Sequence, residues 1–344
     1  MLAVLRTPYL LFLGDVQIAS DAKTGAGIAY WRREQCCGQL RLPGCKADIG
    51  LPDLDLEQAR EAGAQSLIIG VAAMGGAFEP QWIETLREAA RSGLDIVSGM
   101  HTSLNDIPGL TELAAAHGSR LIDVRVPPRG LHVANGVRRS GLRLLTVGTD
   151  CAVGKKYTAL AMDRALRQRG RKSSFRATGQ TGIMIAGSGI PIDAVVSDFV
   201  AGAAEALSPA NEPDHWDVVE GQGSLFNPCY AGVTLGLLHG TQADALVLCH
   251  DPSRTAIEGV EGYPIPPLNV CIARYVEAAR LTNPRVRCIG IAVNSSGLPA
   301  GDHAKRRAAI EAETGLPCVD PILDGVDALV DALDTAFGRV SSPA

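Results

Sequence analysis

The sequence predicts an α/β protein of two parallel-sheet domains, a Rossmann-like N-terminal domain at residues 1–137 and a P-loop NTPase-like C-terminal domain at 138–344. Three observations predict it. Short, continuously apolar runs alternate with helical stretches along the chain, the pattern of parallel strands covered on both faces. Residues 144–157 read as a buried strand, a tight loop ending in Gly154-Lys155 and the start of a helix, which is the layout of a phosphate-binding loop. Finally, 344 residues exceed the size at which a single core stops growing, and the stretch 127–141, rich in Pro, Gly and charge, reads as the linker between two cores.

In the first domain, apolar runs at 10–13, 66–71, 94–98 and 120–126 are expected strands, with helices near 56–62, 81–92 and 108–117. Such strands deliver their loops to a crevice at the carboxyl edge of the sheet. Three of these loops carry glycine, which lets backbone approach a ligand closely: Gly14-Asp15, the stretch 70–76, and Gly99-Met100-His101-Thr102. No G-x-G-x-x-G fingerprint follows a strand, so a dinucleotide site is not indicated. Residues 39–45 read as a further loop, whose Arg41 is either a carboxylate clamp or a solvated surface arginine.

In the second domain a helix at 155–169 follows the loop, then a strand at 172–178, a helix at 195–207, and strands at 216–219, 245–249 and 288–293. The strands end in polar, small-residue clusters: Arg176 to Gly182, Glu220-Gly221-Gln222-Gly223-Ser224, His250-Asp251-Pro252-Ser253-Arg254, and Asn294-Ser295-Ser296. In an α/β sheet these clusters converge on whatever the phosphate loop binds. Glu220 stands where nucleotide hydrolases carry a carboxylate, and such a group can serve as a base if burial raises its pKa. His250 beside Asp251 is the second catalytic candidate, since an imidazole can act as acid or base near neutrality. Arg41, Arg176, Thr178 and Gln180 are the candidates for holding substrate.

The loop residues Thr149, Asp150, Cys151, Ala152, Val153, Gly154, Lys155 and Lys156 form the expected anion site. Helix-opening N–H groups have no intrahelical partner and the helix dipole makes that end electropositive, so a phosphate suits it, and Lys155 adds a point charge. Two positions depart from G-x-x-x-x-G-K-[ST]: Thr149 replaces the first glycine, and Lys156 replaces the hydroxyl that ligates Mg²⁺ in nucleotide hydrolases. An ammonium has donors and no acceptor, so unless Thr149, Thr158 or Asp150 substitutes, the loop is expected to hold phosphates with a second positive charge and no metal.

A net charge of −5 and the absence of a basic stripe argue against a nucleic-acid partner. The apolar start 9–13 is too short to span a bilayer and reads as a buried strand, so no membrane association is expected. Nine cysteines, with no C-x-x-C pair, fit reduced thiols of a cytoplasmic protein better than a disulfide framework, and the adjacent Cys36-Cys37 reads as packed thiols. The expected partner is a small-molecule substrate, and the expected assembly a homo-oligomer.

Two resemblances attach to these motifs. Gly148-Thr149-Asp150 with Val153-Gly154-Lys155, and the later Ile291-Ala292-Val293-Asn294, are similar to the phosphate loop and base-contacting asparagine of dethiobiotin synthetase and its P-loop relatives, which makes Asn294 a further cofactor-binding candidate. A longer resemblance covers nearly the whole chain. Residues 8–15, 38–45, 148–155, 175–182 and 220–225 look like the DgcN-type D-glutamate N-acetyltransferase family, long catalogued as a domain family of unknown function. That resemblance implies transfer of an acetyl group from acetyl-CoA to the amine of D-glutamate. Val16-Gln17-Ile18-Ala19 and Met74-Gly75-Gly76 depart from the family pattern in loops that bear on the amino acid bound. Coenzyme A carries a diphosphate and a 3′-phosphate, so a helix N-terminus with two lysines suits it at least as well as ATP. The alternatives are an ATP- and Mg²⁺-dependent ligase or kinase of the dethiobiotin synthetase kind, and a non-catalytic nucleotide sensor.

Overall fold

The structure, a computed structural model, describes residues 4–71 and 78–338, without the side chains of Ala19 and Ser20. The chain forms two compact units, one of residues 1–128 with 179–194 and one of 129–178 with 195–344. No helix among the described residues is long and apolar enough to cross a membrane.

The first unit runs β1 (Tyr9–Gly14), α1 (Lys23–Trp31), β2 (Cys36–Arg41), α2 (Leu56–Glu61), β3 (Ser66–Ile69), α3 (Pro80–Arg91), β4 (Asp95–Ser98), α4 (Leu110–Ala116) and β5 (Leu121–Asp123). Its sheet has the order β2-β1-β3-β4-β5 and every pairing is parallel. Leu10, Phe12, Leu67, Ile69 and Ile96 bury one face of the sheet against Trp82, Leu86 and Leu110 from the helices. Leu11, Ile68 and Val97, which alternate with them along the strands, are buried on the other, as the unbroken apolar runs required. Asp55 caps α2 with a complete capping box to Gln58.

Two elements of this unit depart from expectation. Residues 39–41, expected in a loop, close the edge strand β2, and α1 occupies a stretch with no expected element. Gly25 and Gly27 weaken the intrinsic propensity of α1. Its position is set by tertiary contact, because Gly25 N donates to Gly70 O (2.8 Å) and a Cβ on Gly70 would lie 3.0 Å from Gly25 Cα. Cys36 and Cys37 open β2, and burial pushes the Cys36 thiol up to about 12. Asp15, just beyond β1, accepts from Trp82 Nε1 (2.8 Å) and Gln81 Nε2 (2.9 Å), tying the first strand to α3. Residues 72–77, including Met74-Gly75-Gly76, lie outside the described residues.

The second unit carries β6 (Leu142–Gly148), α5 (Lys155–Gln168), β7 (Ser173–Arg176), α7 (Val200–Leu207), β8 (Trp216–Val219), α8 (Ala231–Thr241), β9 (Ala245–His250), α9 (Leu268–Arg280), β10 (Arg287–Val293), α10 (His303–Thr314), β11 (Cys318–Val319) and α11 (Asp327–Phe337). The intervening α6 (Gln180–Ala186) belongs to the first unit. The sheet order is β11-β10-β9-β6-β8-β7, again parallel throughout. Consecutive strands leave β6 toward opposite edges, so β6 lies between β8 and β9 at the switch point where α/β sheets bind ligands. The loops after these three strands therefore share one edge. Helices α7 and α8 approach closely through glycine, since a Cβ on Gly240 would lie 2.0 Å from Ala201 O.

Candidate active site at the phosphate loop

The strand β6 delivers residues 149–154 to the head of α5, and the loop is bent by two left-handed residues, Ala152 (φ 55°) and Gly154 (φ 102°). Gly154 suits this conformation because it has no Cβ, whereas Ala152 holds strain of the kind that collects at ligand sites. Gly148 is required by space, because a Cβ there would meet Val153 Cγ2 at 2.9 Å and Lys155 Nζ at 3.0 Å. Lys155 is buried and its Nζ donates to Asp150 O (2.7 Å). Burial pushes the pKa of this ammonium down, opposed by nearby thiols and by the Asp150 and Glu220 carboxylates.

The side chains at the loop's unusual positions turn inward. Thr149, in place of the first glycine, sets its Oγ1 3.0 Å from His250 Nδ1. Asp150 is fully buried, and its carboxylate accepts from Cys151 N (2.7 Å), Asn227 Nδ2 (3.0 Å), Glu258 N (2.9 Å) and Arg254 Nη1 (3.3 Å). Burial alone would raise its pKa, but these donors outweigh it and hold the carboxyl below its usual range. Asp150 thus joins the loops that follow β6, β8 and β9. Thr158 Oγ1 donates back to Gly154 O (3.1 Å). Each of the three groups able to replace the missing metal-ligating hydroxyl is engaged within the fold.

Glu220 follows β8 and is 3% exposed. Its Oε2 accepts from Thr178 N (2.9 Å), its carbonyl from Thr178 Oγ1 (2.7 Å), and Gln222 Nε2 donates to the same hydroxyl (2.9 Å). Gly221 brings this segment against the phosphate-loop strand, for its N donates to Thr146 Oγ1 (3.0 Å) and a Cβ there would lie 1.7 Å from Thr146 O and 3.1 Å from Lys155 Cδ. Gly223 (φ 64°) turns against Tyr230 O. Both glycines are demanded by packing.

His250 and Asp251 do not form a hydrogen-bonded pair. Asp251 Oδ1 accepts from Ser253 N (3.0 Å) and Oγ (2.6 Å), and its Oδ2 faces Arg254 Nε (3.3 Å). Successive residues at a strand end point to opposite faces, which separates the neighbours. Burial, with the Arg306 charge and against that of Asp251, pushes His250 down to about 4, so its imidazole is neutral at physiological pH. Asn294 N donates to His250 O (2.9 Å), and Asn294 Cβ lies 3.9 Å from where a Cβ of Gly154 would be, beside the loop.

Of the four candidates for holding substrate, Thr178 stands at the Glu220 site, while Arg41 and Gln180 belong to the first unit. Arg41 is forked onto Asp53 and lines a groove of about 870 Å³ with Pro43, Cys45, Asp55 and Glu88. Several carboxylates there surround one cation that is already paired. Arg176 places Nε and Nη2 2.8 Å from Asp217 Oδ1, and Asp217 is registered with Ser174, so the guanidinium reaches back along the strand from the carboxyl edge. Gln180 lies against Gly99 at the end of β4, within the first unit.

Three further residues, none of them among the site candidates drawn from the sequence, shape the site. Asn227 and Arg254 hold Asp150, and Tyr275 of α9, fully buried, donates to Gly148 O (2.8 Å) and accepts from Leu225 N (3.1 Å). An aromatic residue inside a helix reads as core. Only Arg254 was detectable, as the last member of a strand-end cluster.

A parallel sheet with its lysine-bearing loop at the switch point defines a P-loop protein joined to a Rossmann-like unit. A family model described as a domain of unknown function, the DUF1611 P-loop domain, matches residues 132–330, and the corresponding Rossmann-like N-terminal model matches 40–127. The chain belongs to the DUF1611 family. It is 48% identical over 330 residues to a protein of Tritonibacter scottomollicae named D-glutamate N-acetyltransferase, covering 96% of this chain and 99% of that one. It is 43% identical over 326 residues to a Pseudoalteromonas protein of the same name, covering 95% of this chain and 98% of that one. A crystal structure of a DUF1611 family protein from Anabaena variabilis matches with a TM-score of 0.84 at 34% identity, over 96% of this chain and 100% of that one.

Proposed function

We propose that this protein is a D-glutamate N-acetyltransferase that takes its acetyl group from acetyl-CoA. The observation that carries the reading is the 48% and 43% identity, along nearly the full chain, to two proteins of that name. The site is suited to it. Lys155 and the open N–H groups at the head of α5 would hold a phosphate group of the donor, Lys156 would add charge, and Asn294 lies beside the loop. Acetyl-CoA supplies a thioester carbonyl carbon. The substrate amine attacks it as free base, so a group near the loop must take the ammonium proton before the C–N bond forms and the C–S bond breaks. We assign that role to Glu220, which is fixed by Thr178 and follows the strand neighbouring that of the loop. The second proton leaves the nitrogen as the C–N bond forms and passes to the departing thiolate, and Glu220 returns its own proton to solvent. His250, held down at about 4, is a weak acceptor at neutral pH, and serves by holding Thr149.

The test is a coupled assay for free CoA and for N-acetyl-D-glutamate, run with D-glutamate, L-glutamate and D-aspartate. Equal amounts of both products from D-glutamate, with slower turnover of the other two, are expected. No product from D-glutamate and acetyl-CoA, with ATP turnover present, would replace this reading by the ligase or kinase alternative.

A further inference from the structure

Arg254 meets the phosphate loop directly, with Nη1 3.0 Å from Cys151 O and 3.3 Å from Asp150 Oδ2, while Nε faces Asp251 at 3.3 Å. Asp150 and Asp251 are buried, so they fix where the guanidinium lies. The remaining ion-pair partner is of another kind. Glu258 Oε2 lies 3.0 Å from Nη1 on a side chain that is 65% exposed, and an exposed pair of this sort contributes little to stability. The arginine side chain keeps 20% exposure, and its Nη2 has no partner among the described residues. A planar cation with an open N–H edge, aimed at a loop built for anions and faced by a loosely held carboxylate, is arranged to exchange that carboxylate for a phosphate.

We propose that Arg254 is a phosphate-binding residue of the donor site, pre-positioned by Asp150 and Asp251, and that donor binding displaces the Glu258 carboxylate from it. This rests on the reading that the loop holds a phosphate group of the acyl donor. Asp150 keeps the guanidinium beside the loop in both states. Glu258 keeps its backbone bond to Asp150 while its side chain swings into solvent.

The experiment is calorimetric titration of the full-length protein and of the Arg254→Ala, Arg254→Lys and Glu258→Gln variants with CoA, with inorganic pyrophosphate, and with ATP in chelator. Arg254→Ala should weaken CoA binding about tenfold to a hundredfold, the range for a lost hydrogen bond to a charged group, with the folded fraction unchanged. Arg254→Lys should recover part of that loss. Glu258→Gln should bind as well as the parent or a few-fold more tightly, because it removes a competitor. Affinity unchanged in Arg254→Ala would overturn the proposal, as would a Glu258→Gln variant weakened as much as Arg254→Ala, since that pair would then be structural. If the parent binds pyrophosphate or ATP but not CoA, and Arg254→Ala weakens that binding, the phosphate role stands and the acetyl-CoA reading falls.

Discussion

Glu220 and His250 flank the phosphate-loop strand on either side, and their surroundings give them different chemistry. Glu220→Gln preserves shape and can still accept from Thr178 N, but cannot take a proton. It should lower kcat by ~10²–10⁴-fold with donor affinity little changed, and a near-parental kcat would remove Glu220 from the base role. His250 is a pH-sensitive element of the fold. Its unfolded imidazole takes a proton near the ordinary 6.5, the buried one only near 4. Between those values the unfolded state binds the extra proton, so stability falls as pH falls from 6.5 toward 4 and is insensitive to His250 above 6.5. Thermal melts at steps from pH 7.5 to 4.5 should show a steeper acid loss in the parent than in His250→Gln, and identical slopes would contradict the burial argument.

At the scale of elements, the site depends on how closely β8 approaches β6. Gly221 makes that approach possible, since an added methyl would collide with Thr146 O at 1.7 Å and press on the Lys155 stem. Gly221→Ala should destabilise the second unit by about 3 kcal/mol or more and disturb the lysine. Gly232, near the start of α8, has nothing within 4 Å of an added Cβ, so Gly232→Ala should stay within about 1 kcal/mol of the parent. Urea unfolding of the two variants side by side checks the contrast, and equal effects would mean that β8 has room to move. Tyr275 works across the same junction, bridging the carbonyl that opens the phosphate loop and the N–H of Leu225 beyond β8.

For the molecule as a whole, the charges of the loop decide which class of reaction it supports. Lys156 stands where a metal-ligating hydroxyl belongs, and Thr149, Thr158 and Asp150 are held by His250, Gly154 and a set of buried donors. Acetyl transfer should therefore persist in excess EDTA at close to the parental rate. Loss of turnover in chelator, restored by Mg²⁺, would point to the metal-dependent ligase or kinase chemistry instead. The interruption of the second unit by residues 179–194 bears on variants too, because the strand-end cluster that begins at Arg176 passes from one compact unit to the other between Thr178 and Gly179.

The sequence by itself determined the two parallel-sheet domains, the phosphate loop at 149–156, and the strand ends that carry Glu220 and His250. Continuous apolar runs specify buried strands, and a glycine-lysine pair after such a run specifies a loop at a helix mouth, so local pattern is enough. What pattern cannot contain is the direction of a side chain once the strand is packed. Arg176 folds back to Asp217, Arg41 is forked onto Asp53, and Asp251 turns from its neighbour His250 to Ser253 and Arg254. Helix α1 forms around glycines because Gly70 accepts it at close range. Asp150 reads in sequence as a loop residue open to ligand, and only the meeting of three loops at one sheet edge makes it a buried carboxylate with donors from Asn227, Arg254 and Glu258. Those partners lie 77, 104 and 108 residues away along the chain, beyond the reach of any local period.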